Sequence, residues 1–125
     1  MRNKFLGTGQ AGYHPIRKLR TVISGLRYAV IYDASVAYKL VLSTMLLTTA
    51  LFLQAWVDML LILVVTAVVL VAEIMNSAIE ALCDFVETQH NEKIKVIKDI
   101  SAAAVGISIV AWFIVLVVEA SRFLR

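Results

Sequence analysis

Apolar residues run along the chain in three long stretches separated by short polar breaks. The first extends from about Val36 to Leu53, with Lys39 near its start. The second begins near Val57, is almost uncharged through Ala72, and keeps a helical pattern of changed composition to about Phe85. The third runs from about Ile100 to Val118. A helix needs about 20 residues to cross a bilayer, and each stretch has or approaches that length. Strands are excluded, because only helices and closed barrels span membranes and three short segments cannot close a barrel. The pattern predicts transmembrane helices over about 36–54, 57–86 and 99–120. A different element precedes them. At about 100° per residue, Ile16, Leu19, Val22, Ile23, Leu26 and Val30 share one face, and Arg17, Arg20, Ser24 and Arg27 fall on another. Pro15 suits a first helical turn. Residues of about 15–33 are therefore expected to form an amphipathic helix lying on the bilayer surface, its basic face toward the headgroups. Residues 1–13 read as a flexible N-terminus, and 14–125 as one all-α integral membrane domain.

Composition narrows the class. Of 125 residues, 61% are hydrophobic and 17% charged, against roughly 45–50% apolar in soluble domains. So small a body cannot hide that much apolar side chain, which excludes a soluble globule. Disordered and disulfide-scaffold classes are excluded as well. The lone cysteine, Cys83, has no internal partner and reads as a small buried apolar residue. The net charge is a modest +3, and no nucleic-acid partner is expected. The distribution of charge is more informative. Arg2, Lys4, Arg17, Lys18, Arg20 and Arg27 precede the first stretch, and Lys93, Lys95 and Lys98 follow the second. The connection Gln54–Asp58 has no Lys or Arg, and the C-terminus has only Arg122 and Arg125. By the positive-inside rule the N-terminus and the second loop should face the cytoplasm. Gly7-Thr8-Gly9-Gln10-Ala11-Gly12 has the spacing of a dinucleotide fingerprint. That motif requires a preceding strand and a parallel sheet, so here it reads as flexible N-terminal chain.

The candidate chemistry lies at the end of the second stretch. Glu73, Ser77, Glu80 and Asp84 fall within an arc of roughly 60° at helical spacing, with Asn76 at its edge. Carboxylates near hydrocarbon cost about 2.5 kcal/mol or more each. Something must offset them: a cation, a lysine, a metal or protonation. Phosphoryl transfer uses such a cluster, because it needs a base for the attacking hydroxyl, a divalent cation across the phosphates and positive charge for the transition state. Carboxylate oxygens suit magnesium. Glu73, deepest in the apolar run, is placed to meet a lipid hydroxyl. Glu80 is placed to hold metal and nucleotide, and Lys98-Asp99 open the third helix at similar depth.

At these residues the chain resembles the bacterial diacylglycerol kinase family, which includes undecaprenol kinases. The likeness rests on Glu73-Ile74-Met75-Asn76-Ser77-Ala78-Ile79-Glu80 with Asp84, on Lys98-Asp99 followed by Ala102-Ala103-Ala104, and on Gly25-Leu26-Arg27-Tyr28-Ala29. It covers the chain from about Ser24 onward. The resemblance implies a surface helix plus three transmembrane helices in a homotrimeric bundle, with active sites shared between subunits, in the bacterial inner membrane. It implies an ATP-dependent kinase of a membrane lipid alcohol, with Mg2+. Glu73 matches the catalytic base, Glu80 a metal carboxylate, Asn76 a polar residue of the same site, and Lys98 and Asp99 the nucleotide site. Asp33 stands where the family usually has a metal-binding glutamate, and Lys39 replaces an acid. His90 lies one position earlier than the family's loop histidine, and Arg17 and Arg20 are generically similar to basic residues near the nucleotide. Diacylglycerol is the first expected substrate and undecaprenol the second. Two other classes fit an apolar span with one deep glutamate: a small proton-coupled transporter and a structural membrane protein.

Overall fold

The computed structural model describes Gly12 and residues 14–125, and the chain it describes is helical throughout. Gly7 to Ala11 of the glycine motif lie outside the described residues. Four helices follow in order: α1 (Pro15–Tyr32), α2 (Ala34–Phe52), α3 (Trp56–Val86) and α4 (Glu92–Phe123). They fall into two units. One holds α1 and ends at Ala34, and the other runs from Ser35 to Arg125.

Within the first unit, α1 carries proline at its start and no acidic residue in its first turn. It ends where Asp33 turns extended and donates its backbone N–H to the Ala29 carbonyl.

In the second unit, α2, α3 and α4 are each long and apolar enough to cross a membrane. At 1.5 Å per residue, the 19 residues of α2 span about 28 Å, close to the hydrocarbon thickness. The 31 residues of α3 and the 32 of α4 span about 46–48 Å. Counted from Trp56, Glu73 lies about 26 Å along α3 and Glu80 about 36 Å. An apolar layer about 30 Å thick that begins at Trp56 thus ends between them. Both long helices therefore overhang at the α3–α4 turn. The last helix starts about two turns before its apolar stretch. The reason is local: the Asn91 side chain accepts from the backbone N–H groups of Lys93 and Ile94, capping a polar first turn.

The α2–α3 connection is short and is turned by Gln54 at φ 54°, with Ala55 N–H donating to the Ala50 carbonyl. α3 and α4 pack most closely against each other. Ala50, Ile62, Val69, Trp112 and Leu116 form the apolar core. Inside it, the Trp112 indole donates to Ser43 Oγ at 2.9 Å, so a buried donor and a buried hydroxyl satisfy each other. Cys83 is buried and unbridged.

Candidate active site

Periodicity sets Glu73, Ser77, Glu80 and Asp84 on one face of α3, and packing then grades them. Glu73 is 5% exposed. Asn76 and Ser77 are half-buried, whereas Glu80 and Asp84 are exposed. The gradient follows from the length of α2. Its second residue, Ser35, already reaches Glu73, so α2 has no further turn with which to cover the face around Glu80.

Glu73 is not alone in the apolar layer. Lys39 Nζ, with its side chain wholly buried, donates to Glu73 Oε1 at 2.5 Å. Ser35 Oγ donates to the same oxygen at 2.8 Å. Lys39 Nζ also donates to Ser35 Oγ at 2.6 Å and lies 4.6 Å from the centre of the Tyr38 ring. The partner that a deep carboxylate requires is thus a lysine one helix away. Such a pair is weak net evidence of stability, but losing either partner leaves a buried charge and costs about 3–5 kcal/mol.

The next turns of α3 lead outward. Asn76 Nδ2 donates to Glu80 Oε1 at 3.2 Å, and Ser101 Oγ of α4 donates to Asn76 Oδ1 at 2.8 Å. Ser101 thereby fixes which end of the amide faces Glu80. At the α3–α4 turn, Asp84, His90, Lys98 and Asp99 line an open cleft of about 300 Å³. Lys98 Nζ donates to Asp84 Oδ1 at 2.5 Å, Lys95 Nζ to Asp99 Oδ2 at 2.8 Å, and the His90 ring meets Glu92 at 2.7 Å. Exposed ion pairs of this kind contribute at most about 1 kcal/mol, so an incoming polyanion can displace them.

The structure therefore brings Asn76 to Glu80 and gathers His90, Lys98 and Asp99 around one cleft, with Glu73 held apart by its own partners. Arg17, Arg20 and Asp33 belong to the unit of α1. There Arg17 and Arg20 line a shallow hollow with His14 and Ile16, and Asp33 is half-buried. Among the described residues, no three His, Cys, Asp or Glu side chains gather into a ready cage for a metal. Magnesium takes one or two protein carboxylates and completes its shell with phosphate and water. The exposed, oxygen-only Glu80 carboxylate, steadied on one side by Asn76, fits that mode of binding.

A family model described as prokaryotic diacylglycerol kinase matches residues 20–119. The chain belongs to that family. No curated protein matches it. Membership carries the coarse activity, a membrane lipid kinase with ATP as the implied phosphoryl donor, and the three long apolar helices agree with a multi-pass membrane protein.

The partners of Glu73 are not evident from helical spacing. In the sequence alone Lys39 is a charge near the start of the first span and a departure from the resembled family, and Ser35 carries no assigned role. The available signal was energetic: a deep carboxylate demands a counter-charge, and Lys39 is the only lysine or arginine within the first two apolar stretches. Glu119, near the end of α4, is only 2% exposed, with Arg122 reaching both it and Asp58.

Proposed function

We propose that the chain transfers the γ-phosphoryl group of ATP to the hydroxyl of diacylglycerol, making phosphatidic acid at the cytoplasmic membrane face. The observation that carries the reading is a buried, partnered Glu73 about two turns inward of an exposed Glu80 on one helix face. An apolar alcohol arriving laterally from lipid and a charged nucleotide arriving from water can meet only at such a boundary.

Glu73 is assigned as the base. The lipid O–H bond breaks as its oxygen attacks the γ-phosphorus, and the proton passes to the Glu73 carboxylate. The bond from the γ-phosphorus to the bridging oxygen breaks, and ADP leaves with that electron pair. Glu80 and Asp33 are the carboxylates assigned to magnesium, which when bound neutralises charge on the phosphates. Asn76 orients Glu80. Lys98, released from Asp84, balances phosphate charge, and Asp99 and His90 border the same cleft. Arg17 and Arg20 are assigned to the nucleotide from α1. Assembly as a homotrimer in the bacterial inner membrane, with a cytoplasmic N-terminus, completes the proposal.

Undecaprenol is the alternative acceptor, since it is equally a hydrophobic alcohol and no residue placed here separates the two. Purified protein in mixed micelles, given γ-labelled ATP, magnesium and a panel of lipid alcohols, tests the reading. Labelled phosphatidic acid is the expected product, labelled undecaprenyl phosphate would select the alternative, and no labelled lipid from any alcohol would refute lipid kinase activity.

A further inference from the structure

We infer that Lys39 and Ser35 are positioning residues for the base: they clamp Glu73 through Oε1 and leave Oε2 to receive the proton of the acceptor hydroxyl. The inference rests on the lipid-kinase reading above and concerns residues that reading does not use.

The geometry is specific about each proton. An ammonium has three donors and no acceptor. Those of Lys39 meet Glu73 Oε1 at 2.5 Å, Ser35 Oγ at 2.6 Å and the Ser35 carbonyl at 3.4 Å. Every donor is occupied and the side chain is wholly buried, so Lys39 has nothing to offer a phosphate. Its role must act through Glu73. Ser35 Oγ accepts from that ammonium, so its single proton is the one directed at Glu73, over 2.8 Å. Both bonds therefore converge on one carboxylate oxygen. Two strong donors on Oε1 fix the rotation of the carboxylate and set the direction of Oε2. The ring of Tyr38, 4.6 Å from Nζ, confines the ammonium further. A base held this way is aligned before substrate arrives, which is the source of rate in a reaction dominated by positioning.

A merely structural pair would tie α2 to α3 and affect only folding. Steady-state kinetics separate the two roles. Lys39→Met, Ser35→Ala and Ser35→Thr are purified in detergent, and the folded fraction of each is measured by size exclusion and circular dichroism. Turnover is then expressed per folded protein in mixed micelles. Lys39→Met is expected to lower kcat about 100-fold, within the range for general-base catalysis, with KM for ATP unchanged. Ser35→Ala is expected to lower kcat about tenfold, the equivalent of one net hydrogen bond, and Ser35→Thr, which keeps the hydroxyl, to restore most of it. If Lys39→Met does not fold, the Ser35 pair decides alone. A kcat per folded protein within threefold of the parent for Ser35→Ala, or failure of Ser35→Thr to exceed Ser35→Ala, would overturn the inference while the lipid-kinase reading stands. Absence of lipid phosphorylation by the unmutated protein would instead overturn that reading and the inference with it.

Discussion

The buried pair of Lys39 and Glu73 makes a quantitative prediction about stability that is independent of any activity. At 2.5 Å and an effective dielectric of about 20, the attraction between unit charges is about 7 kcal/mol. Desolvation of both groups opposes most of it, so the net value of the pair is small. Breaking it one-sidedly is another matter. Lys39→Met leaves the Glu73 carboxylate with Ser35 as its remaining partner. Glu73→Leu leaves an ammonium with no exposed surface and no counter-charge, met only by Ser35 and the face of the Tyr38 ring. Each single change is expected to cost about 3–5 kcal/mol. The double change, Lys39→Met with Glu73→Leu, replaces the pair by apolar groups of similar volume and is expected to lie within about 2 kcal/mol of the parent. The coupling energy of the cycle is then about 4 kcal/mol or more. Unfolding in mixed micelles titrated with sodium dodecyl sulfate, followed by circular dichroism, measures all four proteins. If the single effects sum to the double within about 0.5 kcal/mol, the residues do not interact and the packing of α2 on α3 is wrong at this level.

Other consequences are more local. Glu80→Ala should raise the magnesium requirement and KM for ATP together, by about tenfold or more, as loss of metal-site support generally does; an unchanged magnesium titration would count against Glu80 as a ligand. Asp33→Glu, which lengthens the carboxylate by one methylene, should leave turnover unchanged or slightly raised if Asp33 is a ligand, and a large loss in the same assay would show a site adapted to the shorter side chain. Trp112→Phe removes the indole donor and strands the buried Ser43 hydroxyl, so stability in the same unfolding titration should fall by about 1–3 kcal/mol; an unshifted midpoint would mean the two do not bond.

Much of this molecule is legible in its sequence. Spans show because hydrocarbon thickness imposes a length, and the acidic face of α3 shows because helical spacing is regular within one element. The partner of Glu73 belongs to another kind of information. Lys39 lies 34 residues away, and its meeting with Glu73 depends on the register of α2 against α3. That register is set by which side chains interlock across the interface, as Trp112 and Ser43 do between α4 and α2, and no periodicity within one helix contains it. Glu119 illustrates the same limit. Nothing in its neighbourhood in sequence says that Asp58, from the far end of the preceding helix, will come within reach of the same Arg122. The early start of α4 had a legible cause in Asn91, but hydropathy attends to where apolar residues begin rather than to where a helix is capped.

In the proposed reaction Glu73 accepts a proton from a lipid alcohol as phosphate is transferred. The most direct test of this step is the initial rate of label transfer from γ-labelled ATP to diacylglycerol in micelles, compared between the parent protein and a folded Glu73→Gln variant. The amide keeps an oxygen for Lys39 and Ser35 but is no base. The rate should fall about 10²–10⁴-fold with ATP binding retained. A Glu73→Gln protein that phosphorylates lipid at near the parent rate would contradict this step.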